Sequence, residues 1–200
     1  MSTHFLRILT QRRPAPALTA EAPAREELEK IISAAAGPRV KGRPLTWRLV
    51  GTTRGQATEL AAALSGLKTI PDLKQPTARL KGKNMRRLAA FRGSLAFASN
   101  GGLALALVFH PKRGSDLPKR AQHGEALGAR LLLEAAFYAS GWATQWSPRQ
   151  SPDLEFLGEF YGLDADEEIL GWLFVGRPDT QVSSDHAATL PARPAPLTFR

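Results

Sequence analysis

The run Glu168-Ile169-Leu170-Gly171-Trp172-Leu173-Phe174-Val175-Gly176-Arg177-Pro178 constrains the fold of this chain more than any other segment. Residues 169–175 are continuously apolar apart from one glycine, and Gly176 and Pro178 close the run. A short apolar run with β-branched and aromatic residues between such breakers reads as a strand buried on both faces. Such a strand needs cover on two sides, and the residues before it offer some. Residues 121–140 read as the longest helix. Leu127, Leu131, Leu132, Ala135 and Tyr138 make one face, while Leu133, Ala136, Phe137 and Ala139 spread apolar character nearly all round. A helix of that kind is buried on most sides, in a core or in a subunit interface. It stops at Gly141. A short segment centred on Trp146 and a small helix over 152–161, ended by Gly162, lead into the strand.

The N-terminal half supplies further elements. Residues 3–11 read as a helix with Phe5, Ile8 and Leu9 on one face, broken by Pro14 and Pro16. A second helix over 24–36 places Leu28, Ile31, Ile32 and Ala35 at helical intervals and stops at Gly37-Pro38. A basic loop, 39–45, leads to a strand over 47–52 and an alanine-rich helix over 56–67. Residues 78–92 read as helix interrupted at Gly82. Residues 95–99 and 103–110 alternate on either side of Asn100-Gly101, the signal of a β-hairpin; a loop followed by a single strand over 103–109 is the alternative. Residues 183–200 are proline-rich and extended. The expectation is an α+β fold, a central mixed or antiparallel sheet surrounded by helices, in a single domain spanning 1–200 with a C-terminal arm over about 179–200.

Composition excludes several function classes. Of the 200 residues, 43% are hydrophobic and 22% charged, enough for a core and too apolar for wholesale disorder. There is no cysteine, which removes disulfides, thiolate metal sites and a cysteine nucleophile. No stretch approaches the roughly 18 apolar residues of a membrane span, and the first residues lack a signal-peptide core, so a cytoplasmic protein without membrane association is expected. The formal net charge is +9. No acid occurs between Asp72 and Asp116, an interval that carries Lys74, Arg79, Lys81, Lys83, Arg86, Arg87, Arg92, Lys112 and Arg113. A basic block attracts phosphates, on a cofactor or on nucleic acid. It lacks the interleaved aromatics of single-strand binders, which argues against nucleic acid; a solvated arginine-rich surface is the plain alternative.

No self-contained catalytic set is present. His4, His110, His123 and His186 show no metal-ligand spacing, and G-x-S-x-G, P-loop and G-x-G-x-x-G patterns are missing. Asp164, Asp166, Glu167 and Glu168 read as a solvated turn before the strand. Any enzymatic chemistry is therefore expected to come from a cofactor.

With these elements placed, the chain resembles the nitroreductase family, in particular its small flavin reductases. The resemblance spans nearly the whole length: a first helix ending in Arg12-Arg13, then Pro23, the helix with Leu28 and Ile32, Trp47 at the start of a strand, Pro118, the long helix to Gly141, Trp146, Gly162 and the strand to Pro178. It implies an intertwined homodimer with FMN at the subunit interface. NADH or NADPH passes a hydride to flavin N5, and a nitro, quinone or enone-like small-molecule acceptor is then reduced in the same place by a ping-pong mechanism. No side chain is implied as catalytic.

Carried over by position, the resemblance implies that Arg12 and Arg13 contact the ribityl phosphate, with Pro14 where the family has serine. Gly37 and Lys41 fall in the loop that touches the flavin. Trp146, Ser147 and Pro148 match the segment on its far side. Arg149 stands two residues after the position where the family often has a cation. Two departures stand out: Leu45-Thr46 replaces the family's Gln-Pro before Trp47, and the 39–43 loop is basic. They motivate an alternative, a dimer of the same fold with lost or altered flavin binding that serves as a binding or regulatory protein.

Overall fold

The computed structural model describes residues 2–12, 15, 17–38, 44–71, 82–149, 155–179 and 198. Its helices are α1 (Ser2–Gln11), α2 (Arg25–Ala36), α3 (Ala57–Leu64), α4 (Lys83–Ala98), α5 (Lys119–Ala139) and α6 (Glu155–Tyr161). Its strands are β1 (Trp47–Thr53), β2 (Leu103–Phe109), β3 (Ala143–Pro148) and β4 (Glu168–Gly176). The strands form one sheet in the order β1-β2-β4-β3, and every pairing is antiparallel. The sheet is thus antiparallel rather than mixed, and most of the expected C-terminal arm lies outside the described residues.

The two apolar strands are central because both their faces are covered. In β2, Ala104, Ala106 and Val108 join a core with α3, α4 and α6. The alternate residues Leu103, Leu105, Leu107 and Phe109 join a second core with α2 and α5. β4 divides the same way: Ile169, Trp172 and Phe174 face the first core, and Leu170, Leu173 and Val175 the second. A period of two places each set on one face. The register slips between Leu107 and Val108, opposite Gly171 and Ile169. Gly171 is required there by close approach. A Cβ on it would lie 2.5 Å from the Ser147 carbonyl oxygen and 2.5 Å from the Trp146 ring.

The expected hairpin is absent. Residues 95–98 are the last turn of α4, and residues 99–102 turn the chain into β2, with Gly101 at φ 73°. The physical reason lies in spacing. Leu88, Phe91, Leu95 and Ala98 recur at intervals of three and four; Phe91 and Ala98 are buried in the first core, and Leu95 packs against it. Burying a Phe or Leu side chain contributes about 1.5–3 kcal/mol, more than the few tenths by which a turn dipeptide biases the chain. The expected helix over 78–92 accordingly starts after Gly82 and runs on to Ala98. Residues 78–81 lie outside the described residues. The segment around Trp146 is the edge strand β3, paired only with β4 among the described residues.

Candidate functional site

A buried carboxylate organises one end of the molecule. Glu134 sits on α5 with its side chain 3% exposed. Its Oε2 accepts from Arg12 Nη1 at the end of α1, and its Oε1 accepts from Arg130 Nε one turn back on α5, at 3.0 Å. Arg130 also lies over the Trp146 ring, 5.1 Å from its centroid. A carboxylate this buried needs both partners, since an unpaired one costs several kcal/mol. Arg12, expected at a phosphate, is thereby linked through Glu134 and Arg130 to Trp146, expected at a flavin ring.

Beyond Trp146 the strand runs into a cavity of about 370 Å³. Ser147, Pro148 and Arg149 line it together with Gly93, Ser94 and Phe97 of α4, Leu157 of α6 and Trp172 of β4. Its aromatic wall is held in place. Trp172 Nε1 donates to the Tyr161 hydroxyl at 2.9 Å, and Phe97 meets the Trp172 ring edge-on at 5.5 Å. Arg149 is fixed at its backbone, whose N–H donates to the Leu170 carbonyl. Its Nη1 is buried, stands 3.6 Å from Glu168 Oε1, and has no hydrogen-bond partner among the described residues. A buried donor left unsatisfied costs about 1–3 kcal/mol, so this atom marks a place where an acceptor belongs.

Gly37, at φ 65°, lines a different groove of about 660 Å³, between α2 and β1, with Trp47, Arg48, His110 and Lys112. Among the described residues, Ser147, Pro148 and Arg149 line one cavity on the α4 and α6 face of the sheet, Arg12 and Trp146 are joined through Glu134 and Arg130 on the α5 face, and Gly37 lines a separate groove. Arg13, Pro14 and Lys41 lie outside the described residues.

No protein-family model and no curated protein matches the sequence. Solved structures do match the fold. A nitroreductase-like family protein from Bacillus cereus superposes with a TM-score of 0.68 at 13% identity, over 99% of this chain and 93% of that one. A nitroreductase with bound FMN from Bacteroides fragilis gives 0.65 at 14% identity, over 100% of both chains. An iodotyrosine deiodinase bound to FMN and 3-iodo-L-tyrosine gives 0.59 at 16% identity, over 98% of each. The fold is that of the nitroreductases.

Within a nitroreductase fold, the cavity suits a flavin on this chain's own evidence. Aromatic and aliphatic walls match a planar ring, and the orphaned Arg149 donor matches its polar edge. The volume falls in the range of about 300–1,000 Å³ usual for small-molecule sites. The guanidinium forks of Arg12 and Arg130, a shape that suits a phosphate, lie outside this cavity, on the α5 face of the sheet. Arg130 and Glu134 escaped the sequence reading because an Arg and a Glu four residues apart on a helix look like an ordinary surface pair. What would have singled them out is that Glu134 falls among apolar helix positions.

The acidic segment before β4 is also different from expectation. Glu167 is not solvated; its side chain is 1% exposed. Arg48 donates to it twice, Nε to Oε1 at 2.7 Å and Nη2 to Oε2 at 2.6 Å. The Asp164 N–H donates to Oε2, and His110 Nδ1 lies 2.6 Å from Oε1. The Arg48 hydrogen bonds are the main cause that holds the Glu167 carboxyl down at about 2. His110, Asp164 and Glu167 are close enough to share a cation, but the guanidinium of Arg48 already fills that role. This cluster ties β1, β2 and the turn before β4 together.

Proposed function

We propose that this protein is an FMN-dependent NAD(P)H oxidoreductase that works as a homodimer and reduces a nitro, quinone or enone-like acceptor. The observation that carries the reading is an aromatic cavity lined by Ser147, Pro148 and Arg149, the last with a buried Nη1 that has no hydrogen-bond partner among the described residues. Bound FMN would supply hydride transfer from nicotinamide to acceptor, chemistry that no side-chain set here provides. The chain's residues bind and orient it. Arg12 and Arg13 hold the phosphate, and Trp146, Ser147 and Pro148 back the ring. Arg149 donates to a polar edge, and its charge favours negative charge on the occupant.

The homodimer has its own support. Phe5, Leu6 and Leu9 of α1 and Leu127, Leu131 and Leu132 of α5 are large apolar side chains between 41% and 57% exposed. Such residues on contiguous helices favour cover by another surface. In a dimer with FMN between subunits, Gly37 and Lys41 reach the ring from the second chain, which accounts for the distance of Gly37 from the cavity of its own chain.

The visible spectrum of the purified protein tests the reading. A yellow protein that releases FMN on denaturation and oxidises NADH or NADPH in the presence of a quinone or nitroaromatic is expected. A colourless protein that takes up no flavin from excess FMN overturns it. One observation favours the alternative of altered flavin chemistry. Thr46 is buried and its hydroxyl donates to the Gln122 carbonyl, so the side chain before Trp47 serves the core rather than a ligand. On that alternative, the reconstituted protein binds flavin weakly or not at all and oxidises no nicotinamide with any acceptor.

A further inference from the structure

We propose that the hollow between α3 and α6 binds a small organic amine with an aromatic or branched apolar body. The hollow has a volume of about 540 Å³, within the range of about 300–1,000 Å³ usual for small-molecule sites. Both helices shape it by the same interval. α3 contributes Glu59, Ala62 and Ala63, and α6 contributes Phe156, Glu159 and Phe160, each set at i, i+3 and i+4 and therefore on one helix face. Alanines on one side and phenylalanines on the other leave the space between them unfilled. The floor is continuous with the first core: Ala62 and Ala63 are buried members of it, and Leu67, Phe156 and Phe160 pack against it while partly exposed. Ile70, also on the lining, is 49% exposed. Phe160 is set edge-on to Tyr161, with ring centroids 4.8 Å apart, so this aromatic wall is in place without a ligand.

The rim sets the sign of the ligand. Glu59, Glu159 and Lys68 are exposed and line the hollow. None of these three side chains makes a hydrogen bond or ion pair with a described residue. Two carboxylates against one ammonium leave the rim negative, on a chain whose formal net charge is +9. Other acids of the fold are answered by arginine: Glu134 by Arg12 and Arg130, Glu167 by Arg48, Glu29 by Arg25. A ligand ammonium at this rim is attracted by both free carboxylates, and the aromatic faces of Phe156 and Phe160 favour a cation as well. Its apolar body covers the alanines and rings and takes their surface out of water. An anionic ligand of the same shape meets two like charges instead. The hollow shares no lining residue with the Arg149 cavity, so the inference stands apart from the flavin reading.

Titration calorimetry of the purified protein at pH 7 with tryptamine and with indole-3-acetate compares one ring carrying opposite charges. Tryptamine is expected to saturate a single site with a Kd below about 1 mM, and indole-3-acetate to bind at least about tenfold more weakly. Glu59→Gln and Glu159→Gln alter only exposed side chains and should leave the Tm unchanged. Each is expected to weaken tryptamine about two- to fivefold, the worth of one exposed ion pair, and the double variant about tenfold. Lys68→Met should tighten tryptamine about twofold, because it removes the one cation of the rim. Glu26→Gln, an exposed carboxylate on α2, should change nothing, and excess FMN should leave tryptamine binding as it was. Absence of saturable binding overturns the inference. So does equal affinity for the two indoles, an unchanged Kd in the double variant, or displacement of tryptamine by FMN.

Discussion

Glu167 and Arg149 show two opposite uses of a partly buried charge. Glu167 has every lone pair occupied, and its folded pKa lies at about 2 against an ordinary 4.5. A depressed carboxyl contributes stability above its unfolded pKa and loses it as pH falls through the folded one. Glu167→Gln is therefore expected to lower the Tm at pH 7, and the gap from wild type should close between pH 4.5 and 2. Thermal melts across pH 3 to 7 read this directly. A gap that stays constant with pH would show that the cluster is not ionised as described. Arg149 is the reverse case: its Nη1 makes no hydrogen bond among the described residues and only a long ion pair with Glu168, at 3.6 Å. Arg149→Met removes an unsatisfied group, so the flavin-free protein should melt no lower than wild type. The same change should weaken FMN by about tenfold or more, since the ligand loses a charged donor. A variant that loses stability and keeps its flavin affinity would make Arg149 a structural residue.

At the scale of elements, much was legible in the sequence. The positions of α2, α5 and β4 follow from helical spacing in Leu28–Ala35, from the stop at Gly141, and from the continuous apolar run to Val175. These signals are strong because the residues that carry them are buried, and burial is what periodicity reports. The end of α4 was not legible. Its apolar positions at 88, 91, 95 and 98 cross a glycine at 93, and the Asn100-Gly101 pair supplies a competing local signal. Glu167 was misread for a related reason: its partners are Arg48 on β1 and His110 just after β2, both distant in sequence, and nothing local marks a buried ion cluster. Of the expected site residues, Trp146, Ser147 and Pro148 lie on β3 and Arg149 follows it, with Trp146 and Ser147 on opposite faces of the sheet, while the Arg130–Glu134 cluster depends on a contact between α1 and α5 that no local pattern marks. Gly171 links element to site. Gly171→Ala drives a methyl into the Ser147 carbonyl and the Trp146 ring, both at 2.5 Å. An overpacking cost of about 1–3 kcal/mol corresponds to a Tm lower by about 2–12 °C. Because the displaced strand carries Trp146 and Ser147, flavin affinity should fall with it; an unchanged Tm would mean that β3 moves away at no cost.

At the scale of the whole molecule, one chain carries an exposed apolar face on α1 and α5. The cavity, the Arg12–Glu134–Arg130 cluster and Gly37 occupy three separate places, and α1 and α5 display Phe5, Leu6, Leu9, Leu127, Leu131 and Leu132 to solvent. Pairing two chains through those helices would bury the apolar strip and bring a second chain's loop toward the flavin. Leu131 is 54% exposed within one chain, so a charge there costs the isolated fold little, whereas it would be buried without a partner in the dimer. Leu131→Glu is therefore expected to leave secondary structure by circular dichroism intact. It should shift the mass in light scattering from about twice 21.7 kDa to that of one chain, and remove bound FMN in the same step. Loss of flavin and loss of the dimer must coincide if the site takes residues from both chains. A variant that becomes monomeric while staying yellow would place the whole flavin site within one chain, and a wild type that is monomeric at micromolar concentration would leave the apolar strip for some other partner.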